Sequence, residues 1–367
     1  MKFMKFSPVF LSMVSLTMLG LSSARADITY GTILAPNQSA TGVRSYDDSN
    51  VLLTGSYQDA GTFGLWWLGS LSTGVGTTYQ VLPVFAGQTV TSSLYYGPNT
   101  AKFDPSLGSN IRVVGSYINS SGTSNHGLMY VGSVSGTGGT WTQIDMSNSA
   151  AGGTVSNTIP HSTMGNVVVG NYDINTGLTS NSFIYNITTG TFTAMTIGGS
   201  TDNITSAYGV WQNDATSYTI VGGSEQTGVN RAYMVDYDIS TGDFTHLTYF
   251  SDGPPGVTHF EGVTGVDGGY NLIATTDSGA AFVSVERNED GSFSDAVWTN
   301  LLVPGSSLTT GNTVIDNIGI GVYDTTDPTG IATYTAVVPE PGSWGLLGLG
   351  AAWAGVFLLR SRRSKTA

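Results

Sequence analysis

The sequence predicts an all-β protein: a β-propeller of six four-stranded blades, with a cleaved N-terminal signal peptide before it and one C-terminal transmembrane helix after it. Three observations lead there. Five β-branched runs, four ending in Gly and one in Ala, recur at intervals of 60, 55, 52 and 52 residues. The chain has 50 glycines and only 10% charged residues, which leaves few strong helix formers. Seven of its 12 basic residues sit at the two apolar ends.

Residues 1–26 have the three parts of a secretory signal. Lys2 and Lys5 precede an apolar run from Phe6 to about Leu21, and Ala24 and Ala26 put small residues at the −3 and −1 positions of a cleavage after Ala26. The alternative is an uncleaved anchor, but the apolar run is short for a span and carries several hydroxyls.

The body, residues 27–337, is a repeat array, with units near 39–90, 91–146, 155–197, 204–250, 258–303 and 312–337. The aligned runs are Val51–Gly55, Ile111–Gly115, Asn166–Gly170, Tyr218–Gly222 and Tyr270–Ala274. About ten residues later comes a second run, then a Gly-containing turn and a short aromatic strand, as in Gly190-Thr191-Phe192-Thr193 and Gly242-Asp243-Phe244-Thr245. Glycine supplies the positive φ of a tight hairpin turn, and the flanking aromatic and β-branched residues suit a half-buried pleated surface. A further run precedes each aligned strand, for example Ala207–Trp211, which gives four strands per unit. Units of this size cannot bury their faces alone, and radial stacking buries them. The sixth unit lacks an outer strand, and residues 27–34 at the mature N-terminus are the candidate to supply it and close the ring. Seven blades or a pair of open β-sandwiches are the alternatives; a β-helix repeats at much shorter intervals.

The tail, residues 338–367, carries Pro339-Glu340-Pro341, an uncharged stretch 343–359, and a basic cluster of Arg360, Arg362, Arg363 and Lys365. A helix over those 17 residues, at about 1.5 Å per residue, approaches the about 30 Å of a hydrocarbon core, and the basic cluster holds its far end in the cytoplasm. This end resembles the PEP-CTERM sorting signal of Gram-negative bacteria, with Pro339, Glu340 and Pro341 in the motif positions. The resemblance implies export, anchoring in the inner membrane through the C-terminal helix, removal of the tail by the membrane protease exosortase, and deposition at the cell surface or in an extracellular polysaccharide matrix. An ordinary single-pass anchor is the alternative. The repeats also resemble the extracellular HAF family at His126-Gly127-Leu128, Asn181-Ser182-Phe183, Arg231-Ala232-Tyr233 and Ala280-Ala281-Phe282, although no copy matches in full. Gly222-Gly223 resembles the kelch diglycine in one blade.

Composition removes several function classes. With no Cys there is no disulfide framework, thiolate metal site or Cys nucleophile. All 25 acidic residues except Glu340 lie between Asp27 and Val338, against five basic ones, so the body repels a nucleic-acid backbone. The four histidines, His126, His161, His246 and His259, show no metal-ligand spacing and read as surface or strand residues. No nucleophile elbow or phosphate loop occurs. Two acidic loops, Asp236-Tyr237-Asp238 with Asp243 and Asn288-Glu289-Asp290 with Asp295, have oxygens for Ca²⁺, though such residues also cap turns. Trp66, Trp67, Trp141, Trp211 and Trp298 can stack on sugars or fill the space between blades. With no catalytic constellation, the body is expected to be non-enzymatic, with no cofactor, serving structure, adhesion or association with exopolysaccharide. The alternative is a propeller hydrolase or lyase that cleaves extracellular polysaccharide with Asp or Glu as acid and base.

Overall fold

The computed structural model describes residues 27–174, 180–196, 198, 205–226, 228–251, 259–325 and 330–339. The signal peptide expected over residues 1–26, with Ala24 and Ala26, and the tail helix expected at 343–359 lie outside the described residues. Thr29–Val338 forms a compact unit of six four-stranded antiparallel sheets.

A first strand, β1 (Thr29–Thr32), precedes five sheets built in chain order from the innermost strand outward. Blade 1 contains β2 (Gln38–Ser45), β3 (Val51–Gln58), β4 (Thr62–Gly69) and β5 (Gly76–Tyr79). Blade 2 contains β6 (Val90–Asn99), β7 (Ile111–Asn119), β8 (His126–Gly132) and β9 (Thr140–Gln143). Blade 3 contains β10 (Val155–Met164), β11 (Val167–Ile174), β12 (Ser180–Asn186) and β13 (Thr191–Ala194). Blade 4 contains β14 (Thr205–Gln212), β15 (Ser217–Gln226), β16 (Val229–Asp238) and β17 (Phe244–Phe250). Blade 5 contains β18 (His259–Val266), β19 (Gly269–Thr276), β20 (Gly279–Glu286) and β21 (Val297–Leu301). Blade 6 has three strands of its own, β22 (Thr313–Ile315), β23 (Ile318–Asp324) and β24 (Ile331–Val337), and its fourth is β1. The pairing runs from Thr29 opposite Val337 to Thr32 opposite Tyr334, and the Tyr30 hydroxyl accepts a 3.0 Å bond from the Leu302 N–H of blade 5.

The recurrent glycine of each second strand has a steric cause. A Cβ at Gly55, Gly115, Gly170 or Gly222 would lie 1.7, 2.0, 2.3 or 1.8 Å from a carbonyl oxygen of the inner strand, and one at Gly321 would lie 1.8 Å from the Thr310 carbonyl oxygen, just before β22. The four glycines of blades 1 to 4 sit opposite β-bulges, where an extra residue pushes the inner strand's backbone toward its neighbour. Gly222 is the first residue of the kelch-like pair, and this shared packing role explains it. Blade 5 has the bulge with Ala274 opposite.

The core lies between blades, where each sheet presents aliphatic and aromatic side chains to the next. Between blades 1 and 2, Trp66 is fully buried, stacks on Tyr130 at 5.2 Å, and donates from Nε1 to the Val134 carbonyl at 2.7 Å. Trp67 packs between blades 6 and 1, and Trp141, Trp211 and Trp298 lie against neighbouring clusters, so all five singled-out tryptophans pack on inter-blade core. No helix among the described residues is long and apolar enough to cross a membrane.

Candidate functional site

The bulges of blades 1 to 5 also build a site on the inner strands. In blades 1 to 5 the ladder register skips a mid-strand residue of the inner strand, Thr41, Tyr96, His161, Tyr208 and Glu261, with further skips at Thr91 and Ser156 near the starts of β6 and β10. Freed from pairing, each turns toward the propeller axis. Asn312, just before β22, takes the equivalent place in blade 6. Together these six residues line one cavity of about 260 Å³.

Neighbouring blades hold these side chains in place. Thr41 Oγ1 donates to the Tyr95 carbonyl at 2.6 Å, and Asn312 Nδ2 donates to the Ala40 carbonyl at 2.7 Å. The aromatic rings form an arc: Tyr96 to His161 at 4.7 Å, His161 to Tyr208 edge-on at 4.5 Å, and Tyr208 to His259 at 5.2 Å. Asn171 lies 3.3 Å from His161 Nε2 and is itself fixed by the Ala207 N–H, which donates to its oxygen at 2.9 Å. At the end of the arc His259 Nε2 and Glu261 Oε1 are 2.6 Å apart.

Burial separates the two channel histidines electrostatically. His161 is pushed down to about 3 by burial and, secondarily, by His259, so it is a neutral imidazole at neutral pH. Burial also pulls His259 down, but the hydrogen bond and negative charge of Glu261 outweigh it and hold its pKa above the ordinary histidine value. Tyr96 is pushed up to about 12, chiefly by burial, and Tyr208 is raised by burial and then by Glu261, so both remain phenols. The wall thus combines a carboxylate–imidazole pair holding one exchangeable proton with a neutral imidazole, two phenols, an amide and a hydroxyl. Such a set can hydrogen-bond a polyhydroxylated ligand and move a proton at one edge of it.

The acidic loops singled out for Ca²⁺ do not converge. Asp236 is buried and accepts from Arg287 Nη1 and Nη2 at 2.9 and 2.6 Å, lies 2.8 Å from His246 Nδ1, and accepts from Thr219 at 2.8 Å. Asp238 caps its hairpin turn, accepting from the N–H groups of Ser240 and Thr241 at 2.7 and 3.3 Å, and the Asp243 carbonyl accepts from the Asp238 N–H at 3.0 Å. Asp290 accepts from the Ser292 N–H at 2.9 Å in the same way. Among the described residues no cluster of three or more histidines and acids is placed to hold a metal. His126 pairs with Asp145 at 2.8 Å, away from the channel cavity. In the tail, Val338 is tied to Asn317 by bonds of 2.9 and 3.0 Å, and Pro339 ends the described chain. Glu340, Pro341, Arg360, Arg362, Arg363 and Lys365 lie outside the described residues.

Fold and site together define a six-bladed β-propeller with a polar cavity on its axis, to which every blade contributes one residue. Residues 337–363 match the PEP-CTERM protein-sorting motif, so the chain carries that signal, which implies export, membrane-anchored sorting through the C-terminus and processing by an exosortase. No curated protein matches the chain. Among solved structures, the body is similar to an α-L-arabinanase of Penicillium chrysogenum complexed with arabinobiose, at 12% identity and TM-score 0.55, covering 85% of this chain and 98% of that one. It is also similar to the sialidase of Trypanosoma rangeli, at 10% identity and TM-score 0.52, covering 89% of this chain and 62% of the sialidase. The same sialidase with the inhibitor DANA gives 10% identity and TM-score 0.51, covering 88% and 58%. At these identities the likeness is one of fold. It nonetheless overturns the expectation of a non-enzymatic body, because the architecture is one that these glycosidases use. The kelch-like resemblance is not supported by the comparisons.

Proposed function

We propose that this is an exported glycoside hydrolase, delivered through its PEP-CTERM signal to the cell surface or extracellular matrix of a Gram-negative bacterium, where it cleaves exopolysaccharide in the axial cavity. The observation that carries the reading is the convergence of one polar side chain from each of the six blades on a single cavity beside the His259–Glu261 pair. Tyr96, Tyr208, His161, Asn312 and Thr41 bind and orient the sugar hydroxyls. The pair supplies both proton transfers of hydrolysis. It gives one proton to the leaving glycosidic oxygen as the anomeric C–O bond breaks, and takes one from the water whose oxygen bonds to the anomeric carbon. The fold shared with an arabinanase and a sialidase fits this reaction class.

The test is reducing-end release from the exopolysaccharide of the producing cell by the full chain in mild detergent. We expect activity that falls at least about 100-fold in Glu261→Gln, the scale of lost acid–base catalysis. Full activity in that variant, or retention of polysaccharide without turnover by the unaltered chain, would overturn the proposal.

A further inference from the structure

A second cavity, of about 180 Å³, lies further along the same channel, lined by Arg44, Lys102, Trp211, Thr264 and Asp316 among others. The strand register fixes its place. Arg44, Trp211 and Thr264 each follow by three positions the residue of their own strand that faces the first cavity: Thr41, Tyr208 and Glu261. Three residues of extended strand put the second cavity about 10 Å away along the axis.

Arg44 dominates it. Only 6% exposed, its guanidinium reaches from blade 1 across the axis to blade 4, donating from Nη2 to the Val210 carbonyl at 2.8 Å and, more weakly, to Ser162 Oγ at 3.5 Å. Nη1 donates to the Val43 carbonyl at 2.9 Å, and the Trp211 ring lies 5.8 Å from the guanidinium carbon. Its Nε is buried and has no hydrogen-bond partner. Unlike Arg112 and Arg287, which pair with Asp104 and Asp236 at 2.7 and 2.6 Å, neither Arg44 nor Lys102 has a carboxylate partner within ion-pair distance among the described residues. In a body this acidic, a buried arginine without an acid is the costly exception, because a guanidinium out of water needs a counter-charge.

We infer that this cavity binds a carboxylate group, carried by a single acidic sugar residue or a small organic acid. The Arg44 guanidinium, which lines the cavity with no acid beside it, supplies the positive charge, Lys102 adds a second, and Trp211 and Phe103 give the wall a flat apolar face for a ring. Asp316 on the rim, and Asp47 within electrostatic reach of Lys102, limit the positive excess and select a singly charged carboxylate over a doubly charged phosphate. The volume is below the about 300 Å³ at which pockets for larger ligands begin, which restricts the occupant to about one ring.

The site does not depend on the hydrolase reading, and calorimetry on the full chain in detergent tests it with glucuronate, acetate and glucose as probes. We expect glucuronate or acetate to bind at least about 10-fold more tightly than glucose, and Lys102→Gln, at an exposed position, to weaken that binding about 3- to 10-fold without changing Tm. Arg44→Gln abolishes binding, and Glu261→Gln leaves it unchanged. Preference for glucuronate over acetate assigns an acidic sugar, and the reverse or parity assigns a small acid. Equal affinity for glucose and glucuronate, unaltered binding in Lys102→Gln, or loss of binding in Glu261→Gln would overturn the inference.

Discussion

Glu261→Gln should destabilise the propeller by an amount that depends on pH with a definite sign. In the native protein the Glu261 carboxylate, 2.6 Å from His259, outweighs the effect of burial and raises the histidine's pKa. A histidine whose folded pKa exceeds its unfolded value adds stability that is fully present below about pH 6.5 and is lost as pH rises through the folded value. Glutamine keeps the shape and a hydrogen-bonding group but removes the charge, so burial then acts unopposed and a protonated His259 becomes a liability in acid. The two side chains are 20% and 25% exposed, so the cost lies below the about 3–5 kcal/mol of a fully buried broken pair, and we take about 2 kcal/mol at about pH 5.5. Above the raised histidine value, toward about pH 9, the proteins differ by little more than one hydrogen bond, about 1 kcal/mol or less. With about 2 °C of Tm per kcal/mol for a domain of this size, the gap is about 4 °C in acid and narrows to about 2 °C or less in base. Thermal unfolding of both proteins by circular dichroism, at constant ionic strength across this range, reads it directly. A gap that stays constant or widens with rising pH would refute the assignment of His259 as the charged partner.

Two further outcomes follow from the bulges. Gly55→Ala places a Cβ 1.7 Å from the Ser39 carbonyl oxygen, against backbone that cannot swing away, and should cost about 3 kcal/mol or more in urea unfolding; a neutral substitution would mean that the bulge yields freely. His161, held down to about 3 by burial, takes up in the unfolded chain a proton that the native fold refuses, so its contribution makes stability fall as pH drops from about 6.5 toward 3. His161→Phe keeps a ring between Tyr96 and Tyr208, and should flatten this slope by about 2 kcal/mol over the window, less than the full linkage value because the side chain faces an open channel. Parallel pH profiles for the two proteins would count against a buried neutral histidine.

The blade count was legible because the constraint behind it repeats. One carbonyl presses on one glycine in blade after blade, and the resulting Gly-ended runs stand out in the sequence at regular intervals. The site was hidden for the complementary reason. Its six lining residues come singly from six blades, differ in type, and are selected by a register skip that no composition or local motif reveals. One local trace exists: Thr41, Tyr96, Tyr208 and Glu261 are each followed by glycine, at Gly42, Gly97, Gly209 and Gly262. The expectation of a non-enzymatic body rested on a search for contiguous or regularly spaced motifs, which a ring of single contributions defeats. Likewise His161 reads as an ordinary strand histidine, since nothing near it in the sequence indicates that it shares a wall with Glu261, whereas His259 stands only two residues before Glu261 and that spacing was the one local sign of the pair.

The sixth blade has a consequence in time. Its outer strand is among the first residues of the body to be made and its neighbour among the last, with Thr29 facing Val337. Contacts this distant in sequence form late, after loop closure across the whole chain has been overcome. Blades 1 to 5 can each assemble from local hairpins, but the ring stays open, with a free edge, until β24 has paired with β1. Completion of the fold therefore waits on the last strand of the body, at whose end, residue 337, the match to the sorting motif begins.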